Sequence, residues 1–205
     1  MENIIKRSVA RESVERNGVD VDKLLGLMVR TALSELANYY YYTILSINLI
    51  GAEGDRLKKI VDNARQEDHR HFEALIPRIY ELGGRLPVNT SDLKQGLDPS
   101  LNAYPADLTN IRTTLEMLTK SAESSVRSYT DICNMTCGKD NRTYGLALAI
   151  LHEEIEHQVW FLEFVGHHPS KENFAHEEQR GNSPFVSKFL QSWSTPTGLQ
   201  NQLLG

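Results

Sequence analysis

Apolar residues recur every three to four positions along four long stretches of the chain. A residue in an α-helix advances by about 100°, so this spacing gathers the apolar side chains on one side of a helix. No stretch keeps the alternation of a β-strand. The pattern therefore predicts an all-α protein. Its four long helices are expected at 21–50, 55–82, 107–137 and 141–165.

The connections predict how the four helices are arranged. Asp20 or Asp22 can cap the first helix, and Asp140 can cap the fourth. Short turns join the first helix to the second and the third to the fourth, which implies two antiparallel hairpins. A longer connection at 84–106, rich in Gly, Pro, Asn and Ser, can run the full length of a bundle. The expected architecture is a four-helix bundle of two hairpins joined by one crossover.

This bundle is expected to occupy 21–165, between an N-terminal extension at 1–20 and a C-terminal tail at 166–205. The tail has room for one short helix at 183–193. A net charge of −5 argues against a nucleic-acid binder. Apolar runs stay well short of the ~20 residues that span a bilayer, and the first residues lack the plan of a signal peptide. These features favour a cytoplasmic protein.

The fourth helix carries the clearest chemical signal, in the stretch Leu-His-Glu-Glu-Ile-Glu-His at 151–157. Glu154 lies near the middle of the apolar face, and His157 lies beside it one turn later. A buried carboxylate and imidazole are costly unless something pairs with them, and a metal ion can do so. Glu153 and Glu156 point elsewhere and are expected on a solvated face.

The second helix offers a matching pair. Asp68 falls near the centre of its apolar face, and His71 follows one turn later. The longer side chain of Glu67 is the alternative to Asp68, although Glu67 lies nearer the edge of that face. The same acid-x-x-His spacing on two helices is a stronger indication of a metal site than either pair alone.

The other two helices are each expected to supply one acid. Glu35 is an isolated acid on the edge of the apolar face of the first helix, with Tyr39 one turn beyond it. In the third helix Glu123 is the preferred ligand because it lies at mid-helix. Glu116 is no better placed.

Together these residues make four acids and two histidines. One acid from each of two helices and acid-x-x-His from each of the other two is the ligand pattern of di-iron and di-manganese bundles. Two divalent ions would balance four carboxylates, and oxygen-rich ligands with imidazole suit iron or manganese. The predicted catalytic and metal-binding residues are Glu35, Asp68, His71, Glu123, Glu154 and His157.

Four stretches resemble the ferritin-like superfamily, and within it the Dps-like proteins of archaea and bacteria called thioferritins. They are Tyr-Tyr-Tyr-Tyr-Thr-Ile-Leu (39–45), His-Phe-Glu-Ala-Leu-Ile-Pro-Arg-Ile-Tyr-Glu-Leu-Gly-Gly (71–84), Cys-Asn-Met-Thr-Cys-Gly-Lys-Asp (133–140) and Glu-Glu-Ile-Glu-His-Gln-Val-Trp-Phe-Leu-Glu (153–163). The resemblance implies a cage, expected to be a dodecamer, with a two-iron site in each subunit. It also implies oxidation of Fe(II) by hydrogen peroxide or O₂, ferric storage, and protection against oxidative stress.

The cysteines depart from the thioferritin pattern. Cys133 resembles one of that family's cysteine pair, whereas Ser124 replaces the other and Cys137 is added one turn after Cys133. Two readings besides a mini-ferritin stay open. One is a non-storage di-metal enzyme, similar to manganese catalase or rubrerythrin, although the Cys-x-x-Cys pairs of a rubredoxin module are absent from the sequence. The other is a metal-free or DNA-coating helical scaffold, against which the acid-x-x-His pairs and the acidic balance both argue.

Overall fold

The computed structural model describes residues 8–89, 108, 110–164 and 166. These residues form helices and connections, with no strand among them, so the all-α prediction is confirmed. The helices are α1 (Val9–Arg16), α2 (Val21–Asn48), α3 (Gly51–Glu81), α4 (Ile111–Thr136) and α5 (Asn141–Phe164). The predicted short helix of the tail at 183–193 lies outside the described residues, as does most of the predicted crossover.

The predicted helix caps form. The Asp20 carboxylate accepts a hydrogen bond from the Lys23 amide at the start of α2. At the start of α5, the Asp140 carboxylate accepts one from the Thr143 amide. Such caps satisfy amides that have no partner within the helix.

Helix α3 begins four residues earlier than the sequence pattern predicts. Gly54, a residue type that is also typical of turns, lies inside the first turn of this helix. A Cβ atom at Gly54 would lie 3.0 Å from the carbonyl carbon of Leu49. The glycine therefore serves close packing of the hairpin, which its residue type alone does not distinguish from a turn signal.

The N-terminal extension contains the short helix α1, which was not predicted. The Ser8 hydroxyl accepts a hydrogen bond from the Arg11 amide as its cap. Val14 is buried, and Arg11 donates a hydrogen bond to Asp22 of α2. These contacts hold α1 against the end of the bundle.

Two apolar clusters fill the bundle at different heights. One contains Met28 of α2, Ile79 of α3 and Ile150 of α5. The other contains Tyr42 of α2 and Phe161 of α5. Between these heights, α2, α3 and α5 carry buried acids and histidines, so the polar site is closed off at both ends by apolar side chains.

A buried ion pair fixes α3 against α5 at one end of the bundle. Arg78 donates to both carboxylate oxygens of Asp140, at 2.9 and 2.8 Å, and to the Thr143 hydroxyl at 2.9 Å. Burial would raise the pKa of Asp140, but hydrogen bonds from Thr143 and Arg78 lower it.

Within the described residues, no helix is long and apolar enough to cross a membrane.

Candidate metal centre

Five of the six predicted site residues come together in the middle of the bundle. Glu35 lies on α2, Asp68 and His71 on α3, and Glu154 and His157 on α5. Each is at most 1% exposed. Ligand atoms of Glu35, Asp68, His71 and Glu154 all lie within 4.8 Å of one another, which is close enough to surround one metal ion.

The imidazole of His71 is held between carboxylates on both of its ring nitrogens. Its Nε2 lies 2.7 Å from Glu153 Oε2. Its Nδ1 faces the centre of the site, 2.9 Å from Glu154 Oε1 and 3.6 Å from Glu35 Oε2. The Nδ1 atom is thus placed to bind a metal ion while Nε2–H donates to Glu153.

His157 has the same arrangement. Its Nε2 lies 2.7 Å from Glu67 Oε2. Its Nδ1 faces inward, 3.6 Å from Asp68 Oδ1 and 3.5 Å from Glu154 Oε2. Both histidines therefore present the same nitrogen to the site.

The contacts of Glu67 and Glu153 with the two histidines were not predicted from the sequence. Glu153 was expected on a solvated face, but it is 3% exposed and supports His71, so that prediction is wrong. Glu156, expected on the same solvated face, is exposed. Glu67 and Asp68 were treated as alternatives, whereas both are buried, Asp68 facing the site and Glu67 supporting His157.

The reason lies in how the two helices pair. Each carries Glu-acid-x-x-His, at 67–71 and 153–157, and the first Glu of each helix contacts the His of the other. Glu67 and Glu153 each precede an inward acid by one residue, so they point about 100° away from the centre of the site. On α3 and α5 that direction faces the other helix of the pair instead of solvent. The doubled acid before x-x-His was the available sequence signal.

Glu123 is not part of the site. Its side chain is 53% exposed and lies 3.0 Å from Arg127 on the outer side of α4. The prediction that Glu123 faces inward is therefore wrong. Its neighbour Ala122 occupies the buried face instead, one residue and about 100° away.

Helix α4 contributes a phenol to the site instead of an acid. The hydroxyl of Tyr129 donates a hydrogen bond of 2.7 Å to Glu35 Oε1. Burial, together with the nearby charges of Glu35 and Glu154, raises the pKa of Tyr129 well above its usual value. The phenol thus keeps its proton and orients the Glu35 carboxylate.

The cysteines of α4 do not bond to each other. Cys133 is buried in the apolar cluster that contains Met28, and Cys137 at the helix end is exposed. Both are free thiols.

The electrostatics of the site favour protons or cations in its centre. Burial would lower the pKa of His71, but the carboxylates of Glu153, Glu154 and Glu35 beside its ring raise that pKa well above the usual value. The pKa of His157 is raised in the same way despite burial, first by the charge of Glu154.

The carboxylates divide into two kinds. Burial and the charge of Glu154 raise the pKa values of Asp68 and Glu35. Burial would also raise the pKa of Glu154, but the two imidazoles that contact it lower that pKa to about 2. Glu154 is thus the carboxylate that stays ionised between the histidines.

The donor set fits a pair of hard or borderline divalent ions. Four buried atoms of this site make no hydrogen bond with the described residues, namely Glu35 Oε2, Asp68 Oδ1, His71 Nδ1 and Glu154 Oε1. Unpaired buried polar atoms are costly, and coordination to a metal would satisfy them. Carboxylate oxygen with imidazole nitrogen suits iron and manganese. Two divalent ions would offset the charges of four of the five carboxylates buried in and beside the site.

Known proteins resemble this chain in sequence and in fold. The chain is 48% identical over 182 residues to the DNA protection during starvation protein of Pyrococcus furiosus, which covers 89% of this chain and 97% of that protein. The structure of a dodecameric thioferritin from Bacteroides fragilis superposes with a TM-score of 0.70 at 20% identity, over 90% of this chain and 99% of that one.

A Dps protein from Vibrio cholerae, described as a ferritin-like diiron-carboxylate protein, superposes with a TM-score of 0.63 at 14% identity. It covers 71% of this chain and 90% of its own. These two structures share the fold of the described bundle. The profile of the ferritin-like domain matches residues 29–169, a span that includes all the buried site residues. With this match and the Pyrococcus relative, the chain belongs to the ferritin-like family and is a Dps-like member of it.

Proposed function

We propose that this protein is a ferroxidase of the mini-ferritin type, which oxidises Fe(II) at the centre between α2, α3 and α5 and stores the ferric product. The observation that carries the proposal is the pair of buried acid-x-x-His motifs with both Nδ1 atoms facing one carboxylate, Glu154. Each of two Fe(II) ions would give one electron to hydrogen peroxide, whose O–O bond breaks as it takes up two protons and forms two water molecules.

The residues of the chain bind and orient the substrate iron. Asp68 and Glu154 would help to hold both ions, because their carboxylates lie near both imidazoles. Glu35 and the Nδ1 atom of His71 would complete one position, and Nδ1 of His157 would serve the other. Glu67 and Glu153 accept the Nε2 protons and thereby fix the tautomer of each ring.

The surroundings control water and protons. The apolar clusters above and below the centre exclude bulk water, which strengthens the electrostatic interactions inside. The raised pKa values of Asp68 and of both histidines mean that incoming Fe(II) displaces protons.

Storage requires an assembly, and we propose a homo-oligomeric cage of twelve subunits. Apolar side chains on the outer face of α2 support self-association. Tyr40 is 67% exposed and Ile47 is 73% exposed, and with Ile44 they form an i, i+4, i+7 stripe. The Bacteroides thioferritin is a dodecamer.

Removing Fe(II) and peroxide together would protect DNA and other molecules. This protection does not require contact with DNA, and a net charge of −5 does not favour such contact.

One experiment separates storage from other di-metal chemistry. Purified protein is loaded with Fe(II), hydrogen peroxide or O₂ is added, and ferric absorbance and particle mass are followed together. We expect iron far above two ions per chain in a large particle, and faster oxidation with one of the two oxidants identifies the preferred one. Uptake that stops at two ions per chain in a small oligomer would contradict storage. The same experiment with Mn(II) in the place of Fe(II) tests which of the two metals the site prefers.

A further inference from the structure

The metal centre has an internal two-fold relation between α3 and α5. Residues 67, 68 and 71 on α3 correspond to residues 153, 154 and 157 on α5, an offset of 86 in each case. The supporting contacts correspond as well, because Glu153 contacts His71 and Glu67 contacts His157, both at 2.7 Å. A fully symmetric centre would extend this relation to α2 and α4.

The position on α4 that corresponds to Glu35 can be found from the tyrosines. On α2, Tyr42 follows Glu35 by seven residues, which is two helical turns and therefore the same face. On α4, Tyr129 follows position 122 by seven residues and donates to Glu35 across the bundle. Under the two-fold relation Tyr42 faces position 122, and the two belong to the same apolar cluster.

The heights of the helices give the same position. The ring of Tyr39 lies 4.7 Å from that of His69, so residue 39 is level with the middle of the α3 motif. Glu35 lies one turn before that level on α2. Helix α4 runs antiparallel to α2, and Glu35 contacts Tyr129 on it. The level of residue 39 is therefore reached on α4 about one turn before Tyr129. The position one further turn before that level is residue 121 or 122.

Neither of those residues is an acid. Ser121 donates a hydrogen bond to Asn38, and Ala122 is 3% exposed. The three acids of α4 are Glu116, Glu123 and Asp131, and all are exposed. Among the residues that the structure describes, one position therefore has Glu35, Asp68, His71 and Glu154 around it, whereas the other has only Asp68, Glu154 and His157.

We propose that the two metal positions are unequal. The position at Glu35 and His71 binds its metal ion tightly. The position at His157 has no carboxylate of its own from α4, so it binds its ion weakly and exchanges it. Ala122 leaves the missing coordination place to water or a small anion. This inference rests on the proposed di-metal function. It makes the His157 position the one that fills last and empties first.

The test is an anaerobic titration of the full-length protein with Co(II), followed by calorimetry and visible absorption, with no turnover involved. We expect one tight equivalent per chain and a second that is weaker by about tenfold or more, since even supporting residues change metal affinity by roughly 10–100-fold. Two equivalents of equal affinity in the wild-type protein would overturn the inference.

Variants at the two adjacent α4 positions sharpen the test. Ala122→Glu should bring the second affinity to within about threefold of the first, whereas Ala122→Gln, of the same size but neutral, should not. Glu123→Gln should leave both steps unchanged. If Ala122→Glu folds, as checked by circular dichroism, and its second step stays weak, the inference is wrong. If it does not fold, the two-step titration of the wild type still decides.

The inference and the proposed function fail in different ways. Equal tight binding of two Co(II) ions, with rapid Fe(II) oxidation, would refute the inequality and leave the ferroxidase proposal in place. No binding of Co(II) or Fe(II) by the folded protein would refute both.

Discussion

The contact between Glu153 and His71 gives the sharpest prediction about the supporting carboxylates. Glu153→Gln keeps the shape of the side chain but removes the charge that stabilises Nε2–H at 2.7 Å in a buried setting. An amide can also donate to Nε2, which would move the ring proton to Nδ1, where the metal ion must bind. The substitution therefore weakens the position at His71 in particular.

The magnitude follows from the kind of contact. A hydrogen bond to a charged group contributes about 1.5–3 kcal/mol, and loss of a supporting carboxylate costs roughly 10–100-fold in metal affinity, or about 1.4–2.7 kcal/mol. We expect the tight Co(II) step of Glu153→Gln to weaken by that factor in anaerobic calorimetry. Glu67→Gln should instead weaken the second step, because Glu67 supports His157.

Glu156 provides the matched control for this experiment. It lies three residues after Glu153 on the same helix but is exposed. Glu156→Gln removes the same charge from α5 and leaves in place the carboxylates that contact Nε2 of His71 and of His157. Wild-type affinity in Glu153→Gln, or an equal loss in Glu156→Gln, would refute the supporting role of Glu153 and reduce the effect to overall charge.

Three further predictions concern metal binding, pH and the end of the bundle. Chelation should lower the thermal midpoint by about 5–10 °C relative to protein with metal at 100 times its Kd, which is worth about 2.7 kcal/mol; equal midpoints would contradict a buried metal site. Since the pKa values of His71 and His157 are raised, a metal ion competes with protons for these rings, so Co(II) affinity should rise with pH and binding should release protons. Calorimetry in buffers of different ionisation enthalpy that detects no proton release would contradict this. Asp140→Asn should lower the free energy of unfolding by roughly 1.5–3 kcal/mol at pH 7, because the buried guanidinium of Arg78 loses one charged partner while it keeps the carboxylate of Glu81. The pKa of Asp140 is lowered in the folded state, so the stabilisation from its carboxylate is complete above the usual pKa and is lost as pH falls through the lowered value. Urea titrations should therefore show that the difference in the free energy of unfolding between the two proteins narrows below about pH 4.

The inward residues of three helices could be predicted from sequence because apolar periodicity locates the buried face. Asp68 and Glu154 fall near the centre of such faces, and each histidine follows by one turn. The cap at Asp140 could also be predicted, since it precedes a helical pattern directly. These inferences need only the geometry of a single helix.

The errors arise where position depends on a second helix. Glu153 lies off the centre of its own apolar face, yet α3 covers it, so only the packing of α5 on α3 reveals its burial. Glu123 was chosen because it lies at mid-helix, although it is away from the centre of the apolar face. The apolar face of α4 itself contains Ala122 and Tyr129, and the structure follows that face.

The central claim is that the buried group around Glu154 binds and oxidises iron. It is tested most directly by stopped-flow ferric absorbance after two Fe(II) ions per chain are mixed with hydrogen peroxide, in the wild type and in Glu154→Ala and Glu123→Ala. We predict rapid oxidation in the wild type and in Glu123→Ala, and loss of the fast phase in a folded Glu154→Ala. A Glu154→Ala variant that oxidises iron at the wild-type rate would contradict the site and the function proposed for it.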